Sequence, residues 1–332
     1  MRITRRRLAG AVLTLTVAAT LAGCGEDADQ VSTSAASWTF TDDVGRTVTS
    51  DERPTRVAGL NDVVSSLWNY GLEPVATFGQ TAAADDVQFE GRDLSGVAQV
   101  GSSYGQIDLE QLAAARPDVI VTSVYPTDSA GSLDTGAPLY GFESMAQQEQ
   151  VAEIAPIVAI AWKGSAADVI ERTADLADAL GADLDGEQVT AMRTEYERAS
   201  AALTTAAASG LTVLPVAAYP AEGFYMAKAA DDPSLRLYRD LGVQFVDPGG
   251  STYFWETAGW EAVPRYRSDV LLYSLRGAMT PEQMQTQPTY RLLPAAQAGQ
   301  VHPWEYVGMD YRAQAAYMEK LAGWLSTDRT VT

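Results

Sequence analysis

Apolar and polar positions along this chain switch repeatedly between a period of two and a period near three and a half. Trp38-Thr39-Phe40 and Thr47-Val48-Thr49 alternate on either side of Asp42-Asp43-Val44-Gly45-Arg46, which predicts a hairpin turning near Gly45. Arg56 to Leu60 is a short strand, and the helix that follows, Asp62 to Tyr70, is ended by Gly71. Asp108 caps another helix, with Gln111 three residues on and Leu109 and Leu112 on its apolar face. Pro117 stops it before the strand Val119-Ile120-Val121.

The middle of the chain breaks this alternation. Val169, Ile170, Thr173, Leu176, Ala177 and Leu180 keep helical spacing up to Gly181; Val189, Met192, Tyr196, Ala199 and Leu203 then step by threes and fours. Two helical stretches thus follow one another with no strand between them. The alternation then resumes: strand Thr212 to Ala218, helix Ser234 to Leu241 ending at Gly242, and strand Val243 to Val246. After them come strand Asp269 to Tyr273, a helix capped by Thr280 with Pro281 in its first turn, and a last helix from Tyr311 to Leu325. The expected fold class is α/β, in two halves divided by helix. No sequence repeat relates the halves.

Ahead of the fold lie four arginines (Arg2, Arg5, Arg6, Arg7), an apolar stretch from Leu8 to Leu21, and Leu21-Ala22-Gly23-Cys24. This layout resembles a bacterial lipoprotein signal, which implies cleavage before Cys24 and a diacylglycerol on its sulfur. The apolar stretch is short for a membrane span and is broken by threonines. Thr4-Arg5-Arg6-Arg7-Leu8 also resembles the twin-arginine export signal. Residues 1–23 are then a signal peptide, and residues 24–37, polar and poor in bulky apolar side chains, a disordered tether.

Losing the leader leaves 309 of 332 residues and takes the net charge from −20 to −24. Such acidity disfavours nucleic acid, whose phosphates need clustered Lys and Arg. Cys24 is the only cysteine, so once it is lipidated no disulfide can form. His302 is the only histidine, which argues against a His-rich metal site and leaves a Ser-His-Asp triad one possible base. No catalytic residues, metal ligands or cofactors are expected.

The segments Asp43-Val44-Gly45-Arg46-Thr47-Val48 and Pro54-Thr55-Arg56-Val57 resemble the opening of the substrate-binding lipoproteins of ABC importers, in the class that captures ferric siderophores, haem and cobalamin. Asp108-Leu109-Glu110-Gln111-Leu112 with Arg116-Pro117-Asp118-Val119-Ile120-Val121 is similar to that family's internal motif. Ile154-Ala155-Pro156-Ile157-Val158 resembles the end of its first lobe, and Ser268-Asp269-Val270-Leu271-Leu272 a strand of its second. The likeness runs from Trp38 to Leu325. It implies two α/β lobes joined by a single long rigid helix, with a ligand cleft between them. On this chain the lobes become residues 38–163 and 209–326, with a helical connector at 164–208.

The resemblance also implies partners: an ABC permease with its ATPase, and a membrane touched only through the lipid anchor. The binding protein itself is expected to be a monomer. By motif position, Glu110 and Glu261 are the glutamates that would pair with permease arginines. A first-turn glutamate is also favoured by the helix dipole with no partner at all.

A ferric siderophore brings its own metal ligands, so its receptor needs aromatic walls and a few donors. Many aromatics here follow predicted strands, where α/β folds place ligands. Tyr104, Tyr125, Tyr219, Tyr225, Tyr253, Trp255, Tyr273 and Trp304 are the candidate contacts, with Arg276 the charged donor. Trp38, Trp68 and Trp324 are expected in the core. Tyr253-Phe254-Trp255 cannot all point inward along a single strand. With few basic residues near the predicted strand ends, a ferric hydroxamate fits better than a strongly anionic catecholate complex. Haem and cobalamin stay open, as does a receptor that senses rather than transports. An exported α/β hydrolase lacks a Gly-x-Ser-x-Gly elbow between strand and helix.

Overall fold

The computed structural model describes residues 38–332; the leader, Cys24 and the tether lie outside the described residues. Strands β1 (Trp38–Thr41) and β2 (Thr47–Ser50) pair antiparallel as the expected hairpin. Gly45 supplies the positive φ of its turn. Asp42 holds that turn, accepting from the backbone N–H of Val44 and Arg46, and also from Ala159 of the neighbouring sheet at 3.2 Å.

The first sheet is built from β3 (Val57–Leu60), α1 (Asn61–Asn69), β4 (Ala76–Phe78), β5 (Ala98–Gly101), α2 (Leu109–Ala115), β6 (Val119–Val124), α3 (Met145–Ile154) and β7 (Ile157–Ala161). Its strand order is β5-β4-β3-β6-β7, parallel throughout. Every residue of β3, β6 and β7 is buried, as expected for parallel strands covered on both faces. At Gly59 a side chain is impossible, since a Cβ would lie 2.2 Å from the Val121 carbonyl oxygen.

Helices α4 (Ala166–Ala179) and α5 (Glu187–Ala207) follow. Ser165 and Asp168 form a capping box at the start of α4. At 21 residues α5 is about 31 Å long. The second sheet comprises β8 (Thr212–Tyr219), β9 (Gly223–Ala227), α6 (Pro233–Asp240), β10 (Gln244–Phe245), β11 (Trp255–Ala258), β12 (Val270–Ser274), α7 (Pro281–Met284), α8 (Pro294–Ala298) and β13 (Val301–Trp304), and the chain ends in α9 (Tyr311–Thr327). The order is β11-β9-β8-β12-β13, with β10 also on β8. Pro215, in the middle of β8, falls between the residues paired to β10 and those paired to β9, where its missing N–H breaks no ladder.

Each sheet has an apolar cluster of its own on one face, around Phe78 and Phe142 in the first and Phe224 and Tyr290 in the second. The other faces share one cluster. It runs from Trp38, Val64 and Leu67 through Leu176 and Leu203 to Tyr238 and Leu321. The lobes are linked through helix as expected, and they are also packed together: α4 packs on both α1 and α6 while α9 lies along α5. A continuous apolar interface of this kind resists relative motion of its lobes.

Trp38 is core as expected, 5% exposed, with its indole N–H donating to the Ala179 carbonyl at 2.7 Å. Trp68 and Trp324 are only half-buried, which corrects their assignment to the core. The Arg92 guanidinium lies 5.0 Å over the Trp68 ring, and Trp324 stacks on His302.

Candidate functional site

Between the two sheets lies a cavity of about 470 Å³. Gln80, Tyr125, Tyr140 and Trp162 line it from the first lobe. From the second come Ala217, Tyr219, Asp232, Ser274, Arg276 and Tyr306, with the run Tyr253-Phe254-Trp255. Most of these sit where a strand ends: Tyr125 directly after β6, Trp162 after β7, Tyr219 closing β8, Arg276 two residues beyond β12 and Tyr306 two beyond β13. That is the crevice at the carboxyl ends of parallel strands, where the backbone stops pairing and side chains are free to face a ligand.

The aromatic rings form connected walls. Tyr125 meets Tyr140 edge to face at 4.8 Å and Trp162 at 5.6 Å; Tyr140 also carries Tyr104 at 5.2 Å and accepts from the Gln80 amide. Opposite them, Tyr219 meets Tyr225 at 5.2 Å, Tyr225 meets Trp255 at 6.3 Å, and Phe254 meets Trp255 at 4.9 Å. Edge-to-face contacts lock ring orientation before any ligand arrives.

Phe254 has a φ of 63°, in the left-handed region that bulky residues avoid. The Trp255 N–H donates across it to the Tyr253 carbonyl at 2.7 Å, so Phe254 is the centre of a three-residue turn of the strained kind. Asp231 accepts from the Phe254 N–H at 3.1 Å and Lys228 N–H donates to the Phe254 carbonyl at 2.8 Å. The turn resolves the expected conflict along this run. β11 begins only at Trp255, so three consecutive aromatics reach the cavity without sharing one strand.

The polar lining is close to electrically balanced. Burial raises the Tyr125 hydroxyl well above its ordinary pKa, and Asp62 adds to the effect. Burial and Asp62 also push Tyr140 up to about 12, and burial with Asp231 does the same for Tyr253. These phenols stay neutral donors. Asp232 caps α6, accepting from the Leu235 N–H at 2.8 Å, and burial pushes its carboxyl up to about 6. For Arg276, burial works against the charge, but Asp62 outweighs it and the guanidinium is held firmly protonated.

The cavity brings together five of the expected contacts: Tyr125, Tyr219, Tyr253, Trp255 and Arg276. Tyr104 and Tyr225 stand one ring behind the lining. Trp304 does not line the cavity. At 2% exposure it is part of the shared core, under Trp255 at 5.9 Å and Tyr306 at 4.8 Å. Tyr273 points to the other side of its strand, onto the cluster around Leu271 and Tyr290. Trp162, Asp232 and Gln80 carry no sequence signal of a site, although Trp162 directly follows a strand just as Tyr125 does. His302 is away from the cavity, bonded to Asp328 at 2.8 Å and stacked on Trp324 at 4.6 Å. Among the described residues no group of three or more His, Cys, Asp or Glu side chains is placed to hold a metal ion.

Glu110 is exposed in the first turn of α2, behind the Asp108 cap. Glu261 is exposed in the turn after β11, beside Gly259. Neither makes an ion pair among the described residues, and no helix there is long and apolar enough to cross a membrane.

Residues 78–305 match the family profile of the periplasmic binding proteins. Among solved structures, DesE, a ferric-siderophore receptor protein from Streptomyces coelicolor, is 29% identical with a TM-score of 0.79, the match covering 89% of this chain and 100% of that one. The siderophore periplasmic binding protein from the fuscachelin gene cluster of Thermobifida fusca shares the fold at 24% identity and a TM-score of 0.58, over 82% of this chain and 96% of that one. So does the Fe3+-Desferal-bound siderophore binding protein FhuD of Vibrio cholerae, at 21% and 0.60, over 82% and 99%. No curated protein sequence matches. Two α/β lobes on a helical spine, an aromatic cleft between them and a profile match over more than half of the sequence make this chain a member of the periplasmic binding protein family.

Proposed function

We propose that this protein is an extracytoplasmic, lipid-anchored receptor that binds a ferric siderophore of the hydroxamate type and delivers it to an ABC importer. The observation that carries the reading is the cavity itself. Its walls are phenols and indoles, its volume suits a small organic ligand, and its one cation is already paired with a carboxylate. Such a lining grips an organic shell around a metal. It offers little to a bare ion, and a strongly anionic complex would find no converging Arg or Lys.

The likeness to DesE supports a ferric siderophore as the cargo. The anchor at Cys24 rests on the lipoprotein-like leader, and confinement beside a permease would raise the local concentration of loaded receptor. Glu110 and Glu261 are the docking contacts in this reading. Haem is less well served, because His302 is committed to Asp328 and Trp324 on another side of the second lobe.

Titration of the purified protein with ferrioxamine, a ferric tris-catecholate, haem and cobalamin, followed by tryptophan fluorescence, tests the assignment. Saturable quenching by the ferric hydroxamate is expected, because Trp162 and Trp255 line the cavity. Silence with all four ligands would sink it.

A further inference from the structure

The cation in the cleft carries its own counter-ion. Arg276 reaches across from the second lobe to Asp62 in the first turn of α1, with Nη1 donating to Oδ2 at 3.1 Å and Nη2 donating to Oδ1. Asp62 is 3% exposed and sits behind Arg276, away from the cavity lining. Gln88 Nε2 donates to the same Asp62 oxygen at 2.8 Å, and the Tyr306 ring lies 4.5 Å beneath the guanidinium. Among the described residues that line the cavity Arg276 is the only cation.

A buried pair of this kind is weak evidence for stability, because desolvating two ions offsets most of their attraction. Its effect on the cleft is large all the same. With Asp62 paired to the guanidinium, the positive charge facing a ligand is cancelled, and Asp232, also in the lining, can only make the balance more negative. Three hydroxamates each give up one proton and leave a ferric centre neutral. Three catecholates each give up two and leave it triply negative. In a poorly solvated cavity that difference is not screened away.

We infer that Asp62 is the charge selector of this cleft: by neutralising Arg276 it admits neutral or cationic ferric complexes and rejects polyanionic ones of similar size. Asp62 acts through Arg276 without touching ligand, and the inference rests on the ferric-siderophore reading above. Removing only the carboxylate charge unmasks the cation. Asp62→Asn is therefore expected to raise affinity for a ferric tris-catecholate relative to ferrioxamine by roughly tenfold or more.

The test uses the intact protein, titrated with ferrioxamine and a ferric tris-catecholate at low and high salt, with thermal unfolding as the check on folding. Asp62→Glu, which keeps the charge, should retain the wild-type preference. Asp62→Asn with Arg276→Gln should bring the catecholate-to-ferrioxamine affinity ratio back to the wild-type value, since both charges are gone. If Asp62→Asn weakens both ligands equally, Asp62 only positions structure and the selector is wrong. Should that variant not fold, Arg276→Gln alone decides: leaving Asp62 unopposed must lower catecholate affinity further relative to ferrioxamine, and an unchanged ratio overturns the proposal. Wild-type protein that binds neither complex refutes the ferric-siderophore reading instead.

Discussion

The side-chain amide of Asn69 donates to both carboxylate oxygens of Asp310, at 3.1 and 3.0 Å, in a site where Asp310 is fully buried. Asn69 ends α1, its backbone carbonyl accepts from Gln188 at the start of α5, and Asp310 caps α9 through the Ala313 N–H. One residue thus ties the first lobe to the beginnings of both helices that run along the spine. Burial pushes the Asp310 carboxyl up, while the donors of Ala313 and Asn69 pull it down. Asn69→Ala removes the amide and leaves the buried carboxyl under-satisfied, at a cost of about 2 kcal/mol. A fall in Tm of about 5 °C is expected in thermal denaturation. An unchanged Tm would show that this junction does not hold the lobes.

Asp232 predicts a pH dependence whose sign runs against the usual carboxylate. Its folded pKa, about 6, lies above the value near 3.9 expected unfolded. The native state therefore binds the extra proton. The stabilisation is complete below about pH 4 and is lost as pH rises through about 6. Asp232→Asn keeps a capping oxygen for the Leu235 N–H and removes the ionisation. Urea unfolding of both proteins from pH 4 to pH 7 should give a difference that grows in the variant's favour, reaching about 3 kcal/mol at neutral pH. Only the difference between the two counts, because other carboxylates titrate in both. Asp269, held down to about 2 by the N–H groups of Thr212 and Val331 and the hydroxyls of Thr212 and Thr332 against the opposing effect of burial, is one of them. A flat difference curve would contradict the assignment.

What could be read from the sequence follows from how local each signal is. The helices at Leu109, Pro281 and Tyr311 announce themselves because cap, first turn and apolar face lie within one short window, and the structure places all three. β4, β5, β9, β11 and β13 have three to five residues each and, unlike the equally short β1, do not alternate buried with exposed positions, and β13 contains Pro303, tolerated because that strand is at the sheet edge. Within the site, Tyr125 and Tyr219 are legible as aromatics at strand ends. Tyr140 arrives from a long loop without periodicity. Asp62 looks like an ordinary first-turn acid, because the residue that gives it meaning, Arg276, is 214 positions away. Pairings of that separation are set by how the lobes pack, and no local pattern encodes them.

Strain at Phe254 makes an unusual prediction about glycine. A left-handed φ costs a non-glycine residue about 1–2 kcal/mol, and Phe254→Ala keeps that cost while losing the ring that packs on Trp255. Phe254→Gly loses the ring but also the strain. The glycine variant should therefore be the more stable of the two by about 1 kcal/mol, although glycine ordinarily destabilises a folded chain relative to alanine. Both should bind the ferric complex about tenfold more weakly, for want of the aromatic wall. Denaturant unfolding of the pair decides it, and an alanine variant as stable as glycine would mean the turn stores no strain.

The docking role proposed for Glu110 and Glu261 can be tested apart from ligand binding. Each is exposed, each is on a different lobe, and neither lines the cleft. A surface carboxylate without an intramolecular partner adds little to stability, so reversing its charge should leave folding nearly intact. At an interface of complementary charge the same change is severe, because like charges brought together oppose association. Glu110→Arg with Glu261→Arg is therefore expected to bind ferrioxamine with wild-type affinity by fluorescence titration, yet to abolish iron uptake when it replaces the native protein in cells. Reversal at one site should give a partial defect, since the other lobe still docks. Normal uptake by the double variant would remove both residues from the docking surface, and a parallel loss of ligand affinity would place them in the architecture of the cleft.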